Sequence, residues 1–105
     1  MSAWRRYEIL LPLRFNDGGA VPEELLGGVL LELDERFGAV SWETQIIRGA
    51  WQKGSRHYRD DLMRVFVDVP DTPQNRQFFL GYKEEIKRKF RQLEIWLTSY
   101  RIEVL

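Results

Sequence analysis

The chain has no cysteine, one histidine and four prolines in 105 residues. Without cysteine there are no disulfides and no thiolate metal sites. A single histidine also rules out the paired-histidine metal site of rolling-circle nucleases. We therefore expect neither a metal nor a bound cofactor. A surplus of either charge is missing as well: 16 basic and 16 acidic residues give a formal net charge of zero. A dedicated DNA-binding protein draws its affinity from neutralised phosphates, so this balance argues against nucleic acid as partner. No apolar run is long enough to cross a bilayer. The opening MSAWRRYEILLPLRF is broken by Pro12 and Arg14 and lacks a small-residue cleavage site, so neither a membrane helix nor a signal peptide is expected. Together these absences lead us to expect a cytoplasmic protein. GxGxxG, GxSxG, HExxH and a Walker lysine spacing are absent too.

What is present is material for one core. Hydrophobic residues make up 44% and aromatics 13%, with four tryptophans, which suits a single domain over residues 1–105. The charges are unevenly spread. Residues 22–38 hold five acids and one base, whereas residues 48–64, and again 83–91, hold five bases and two acids.

The clearest strand is Leu62-Met63-Arg64-Val65-Phe66-Val67-Asp68-Val69, with β-branched residues at 65, 67 and 69 and a stop at Pro70. Tyr7, Ile9, Leu11, Leu13 and Phe15 alternate as a first strand over 6–15, with a bulge expected at Pro12. Pro22 fits the first position of a helix whose stripe is Leu25, Leu26, Val29, Leu30, Leu33 and Phe37, closed by Gly38. We read Gly27-Gly28 within it as close helix-to-sheet packing. Residues 40–51 make a less regular strand whose apolar phase changes between Ile46 and Ile47, suggesting a bulged edge, so 40–69 reads as a long hairpin. Thr72-Pro73 starts a second helix, with Glu84–Arg88 and Glu85–Lys89 spaced as ion pairs. Residues 93–105 form the last strand.

The order βαββαβ predicts an α+β, ferredoxin-like fold: a four-stranded antiparallel sheet with both helices on one face. The other face is then bare. It would carry Leu10, Pro12, Phe66, Trp96 and Tyr100, ringed by Arg14, Arg64, Thr98 and Asp68. An apolar patch of that kind rarely stays exposed on a monomer, so we expect Leu10, Phe66, Trp96 and Tyr100 to form an interface or pocket. A homodimer stacked sheet to sheet is the leading expectation, and a small apolar ligand on this face the second. The third, base stacking as in RNA-recognition modules, is disfavoured: the strand DLMRVFVDV has one outward aromatic, no glycine, and Asp68 where phosphate would be repelled.

The hairpin carries a second candidate, the polar aromatic group Trp51, Lys53, Arg56, Tyr58 and Arg59. It could grip a phosphate backbone or an acidic partner, but an exposed, soluble hairpin tip is the reading we favour. His57, the only group with an ordinary pKa near neutrality, is the acid–base candidate, with Asp60 or Asp61 to orient it. Adjacent strand residues point to opposite faces, so Asp60 and Asp61 should not converge on one ion.

The segments YEILLPLRFNDG, ERFG, VDVPDTPQNRQFF and FRQLEIWLTSYRIEVL resemble those of a family of small, uncharacterised bacterial proteins of about this length. That resemblance implies no activity and assigns no catalytic residue. The plan is also similar to that of dimeric α/β-barrel proteins, some of them small monooxygenases and others ligand sensors. The resulting expectation is a non-catalytic binding or interaction protein that self-associates through the open sheet face. The alternative is a small cofactor-independent enzyme on a dimeric barrel, with His57 as acid–base and Trp51, Tyr58 and Arg59 shaping its pocket. A nucleic-acid-associated protein using the 51–59 hairpin comes third.

Overall fold

One long strand organises the molecule. In the computed structural model, which describes residues 3–105, β4 (Arg56–Pro70) pairs antiparallel with β1 (Trp4–Pro12), β2 (Ser41–Trp42) and β3 (Ile47–Lys53). Only β5 (Trp96–Ile102) pairs elsewhere, lying against the far side of β1. The path runs β2-β4-β1-β5, with β3 on β4 beside β2. The fold is thus α+β with a five-stranded antiparallel sheet, and the expected four-stranded ferredoxin-like arrangement is corrected on strand number and order.

The extra strand arises at the 46/47 phase change. Trp42 pairs with Val65 and Ile47 with Leu62, so residues 43–46 stand against only Met63 and Arg64. The excess is even, so side-chain alternation survives it. What changes is the apolar side: Trp42 shares the face of Val65, whereas Ile47, Gly49 and Trp51 share the opposite one.

Both helices, α1 (Glu23–Phe37) and α2 (Pro73–Lys89), bury their stripes on one sheet face. Val29 and Leu33 of α1 and Phe79, Tyr82 and Ile86 of α2 join Tyr7, Ile9, Leu11, Val65, Val67 and Val69 in a single core. Tyr7 stacks on Phe79 with centroids 4.0 Å apart. Gly38 closes α1 at φ 79°, its N–H donating to the Asp34 carbonyl. Thr72 caps α2 by accepting from the Asn75 N–H, with Pro73 in the first turn.

Several local expectations change. Pro22 is extended (ψ 144°) and precedes α1 rather than opening it. A Cβ at Gly27 or Gly28 would meet nothing within 4 Å, so close packing does not explain that pair. Pro12 pairs with Leu62 and ends β1, because it cannot donate onward. Glu84 pairs with Lys87, not Arg88, while Glu85–Lys89 forms as expected. No described helix is long and apolar enough to cross a membrane.

Candidate functional site

The sheet face away from the helices divides into two halves along the strands. At the end nearer Pro70, ion pairs close it. Arg6 donates to both carboxylate oxygens of Asp68, at 2.7 and 2.9 Å. Arg64 donates to Glu8 and to Glu43, and the Tyr100 hydroxyl donates to Glu8 at 2.7 Å. Both guanidinium groups lie over the Phe66 ring, at 4.4 and 4.6 Å from its centroid. The Arg64 hydrogen bonds hold the Glu8 carboxyl below the usual glutamate range, and Glu8 in turn raises Arg64. The continuous oily patch expected here is therefore interrupted. Phe66 is half-buried under arginine, and of the four expected interface residues only Trp96 and Tyr100 stand open, at 65% and 44% exposure.

At the other end the same face opens into a cavity of about 520 Å³. Leu10, Pro12 and Leu62 make its floor, with Trp51 on the hairpin side and Trp96 at the start of β5. That volume lies within the roughly 300–1,000 Å³ typical of small-molecule sites. Its polar side chains are Gln52, Asp60, Gln92 and Glu94.

The hairpin builds one wall rigidly. Trp51 stands across the ladder from Tyr58 and stacks on it, centroids 4.4 Å apart and planes within 17°. Its indole N–H donates to Asp60 Oδ2 at 2.6 Å. Tyr58 does not line the cavity and so backs the indole from behind. Gly49 is paired with Asp60. On the opposite rim, Glu94 Oε1 meets Lys83 Nζ at 3.2 Å and accepts the Ile95 N–H at 3.1 Å, contacts that lower its pKa.

The sequence-predicted groups are thus redistributed. Leu10, Trp96 and Trp51, expected in two separate sites, line the same cavity, while Phe66 and Tyr100 belong to the ion-paired half. His57 pairs with Gln52 near the hairpin tip, is exposed, and lines neither this cavity nor its neighbour. Lys53 and Arg56 pair with each other at the tip. Arg59 joins Arg14 and Arg48 around an adjoining cleft of about 580 Å³ that shares Gly49, Ala50 and Asp60 with the first. Asp60 and Asp61 do diverge: Asp61 reaches Arg14 and Arg48, at 3.6 and 4.0 Å. Sequence reasoning passed over Gly49, Leu62, Gln92 and Glu94. Of these only Gly49, a glycine inside a strand pattern, offered a signal.

No family profile matches the sequence. No curated protein matches it either. Among solved structures, the chain is similar to a phage SAM lyase in complex with S-methyl-5'-thioadenosine. That match has a TM-score of 0.70 at 12% identity and covers 99% of this chain and 92% of the lyase. A phage SAM lyase in its apo state matches with a TM-score of 0.59 at 13% identity, over 97% of this chain and 90% of that one. At such identities the likeness establishes the fold. It also corrects the leading functional expectation: both of these structures of the same fold are of an enzyme, which favours the enzyme alternative over a non-catalytic protein that self-associates through its open face.

Proposed function

We propose that this chain is a lyase that takes S-adenosylmethionine, or a closely related adenosyl sulfonium, between Trp51 and Trp96 and releases S-methyl-5'-thioadenosine. The observation that carries this is the make-up of the cavity within that fold. Two indoles and an aliphatic floor suit a purine and a thioether, and the charged lining consists of Asp60 and Glu94, with no lysine, arginine or histidine.

A sulfonium is already an activated leaving group. When the bond from sulfur to the amino-acid chain breaks, its electron pair stays on sulfur and yields a neutral thioether. The remaining four-carbon fragment completes its valence by bonding its own carboxylate oxygen to the carbon that sulfur leaves, or by giving up a neighbouring proton to solvent as a double bond forms. Neither route consumes water or a redox partner. The protein's share is then binding, orientation and exclusion of water. Trp51, locked by Tyr58 and Asp60, is pre-organised for that task. The proposal gives His57 no acid–base role, since it lines neither cavity.

The test is incubation of the purified protein with S-adenosylmethionine and chromatography of the products. S-methyl-5'-thioadenosine should accumulate beyond one equivalent of enzyme. Recovery of intact substrate, with no shift in melting temperature from either compound, overturns the proposal.

A further inference from the structure

We infer that Asp60 makes the cavity selective for charge: it takes an aromatic ligand bearing a positive centre and holds the neutral counterpart less tightly. The inference rests on the reading above for the adenosyl frame of the ligand, but not for its charge.

Three observations converge on Asp60. First, it is half-buried where the cavity meets the adjoining cleft, and its Oδ2 is held by the Trp51 indole, which leaves Oδ1 without a hydrogen-bond partner among the described residues. Second, its partner across the ladder is Gly49, so no side chain stands directly opposite the carboxylate, and from that strand only the Trp51 indole is seen to bond it. Gly49 has no positive φ, and a Cβ there would come within 3.2 Å of Leu62 Cδ1. The backbone therefore does not require glycine at this position; what a Cβ would disturb is the close approach of the Leu62 side chain on the cavity floor. Glycine inside a strand weakens it and marks a place where a ligand or another backbone approaches. Third, the other carboxylate on the rim, Glu94, already faces Lys83, whereas Asp60 has no ion pair among the described residues. Arg14, Arg48 and Arg59 line the adjoining cleft rather than this cavity, and Asp61 engages the first two.

A cation between indole rings and beside one carboxylate is stabilised by ring quadrupole and charge together. Cleavage of a sulfonium removes that positive charge from sulfur, so the step that forms the product also weakens its hold. Charge selectivity at Asp60 would thus couple chemistry to release.

The experiment measures equilibrium binding of two matched pairs by tryptophan quenching, at constant ionic strength. One pair is sinefungin, an amine analogue of the sulfonium, against S-adenosylhomocysteine, its neutral thioether. The other is phenyltrimethylammonium against tert-butylbenzene, which tests charge without the adenosyl frame. Wild type should prefer each cation by about tenfold or more. Asp60→Asn keeps an acceptor for the Trp51 indole and should bring both ratios near one, with an unchanged melting temperature. Trp51→Phe, which removes the indole donor but keeps an aromatic ring, is the second variant should Asp60→Asn fail to fold, and should narrow both ratios. If the simple ammonium is preferred but neither adenosyl compound binds, the lyase reading fails and charge selectivity stands. If S-adenosylhomocysteine binds as tightly as sinefungin, or the ratios survive in Asp60→Asn, the inference is wrong. Absence of quenching by all four compounds overturns it as well.

Discussion

The two halves of the open sheet face are built on the same strands and differ in what their polar groups have left to offer. Near Pro70, Arg6, Glu8, Arg64, Asp68 and Tyr100 spend their hydrogen bonds on one another, and Phe66 lies beneath two guanidiniums. Toward the hairpin, Leu10, Pro12 and Leu62 present hydrocarbon, Gly49 presents nothing, and Asp60 keeps one oxygen free of any described partner. A face closed on itself is stable and has little to give a ligand. A face left apolar, with one anchored carboxylate, is a place for a ligand to go.

Filling the open half should have the largest effect. Gly49→Leu directs a side chain into the cavity beside Leu62, whose Cδ1 must give way by a few tenths of an ångström. Release of S-methyl-5'-thioadenosine should fall by about a hundredfold, the scale on which small misplacements of a reacting molecule act. The melting temperature should stay within a few degrees of wild type. Full activity in a folded Gly49→Leu protein would move the reaction elsewhere.

Breaking the closed half should do the reverse. Arg64→Met keeps the aliphatic cover over Phe66 but leaves Glu8 and Glu43 without their shared cation. Denaturant titration should show a loss of roughly 1–3 kcal/mol. Product release measured well below the melting temperature should change less than twofold, because Arg64 does not line the cavity. A large loss of activity at unchanged stability would erase the distinction between the halves.

How much of this could be read beforehand follows the same boundary. The helix-facing side was legible, since Val65, Val67 and Val69 and the α1 stripe alternate at their proper periods and all join the core. The residues of the open face were legible too, because Leu10, Phe66, Trp96 and Tyr100 follow from parity alone. Their division into two halves was not. Arg64 stands two residues from Phe66 on the same face of β4, but whether Arg6 also closes over the ring depends on register between β1 and β4, a long-range pairing that no local pattern encodes. The phase change at 46/47 was visible but its meaning was not: it read as a bulge, yet it marks where apolar side chains cross from the helix side to the cavity side. His57 drew attention for its chemistry alone, and the hairpin register carried it away from both cavities.

A milder perturbation of the closed half is acid. Glu8 is held below the usual glutamate range chiefly by its hydrogen bond from Arg64, and Asp71 is lowered chiefly by Arg5. A carboxyl depressed in the folded state contributes stability that is complete above its unfolded pKa, about 4.3 for glutamate. It is lost as pH falls through the lower folded value. Stability should therefore decline below about pH 4. In Glu8→Gln that acid limb should be shallower, because one of its carboxyls is gone, but not absent, because Asp71 and Glu94 remain. The variant should be the less stable protein at pH 7 and match wild type near pH 2. Parallel pH curves for the two proteins would remove Glu8 from the account.

The smallest expected effect is at His57, and it sharpens the comparison by what it leaves alone. His57 is exposed and paired with Gln52, one residue beyond the Trp51–Tyr58 stack toward the tip. A proton carrier must come within hydrogen-bond reach of the atom it serves, directly or through one water. His57 shares a sheet side with Asp61, not with Asp60, because alternate strand residues face alternate ways. His57→Ala should therefore change product release by less than about twofold and stability by less than about 0.5 kcal/mol, as for surface positions generally. A large loss of rate in a folded His57→Ala protein would bring the hairpin tip into the chemistry and require it to fold over the cavity during turnover.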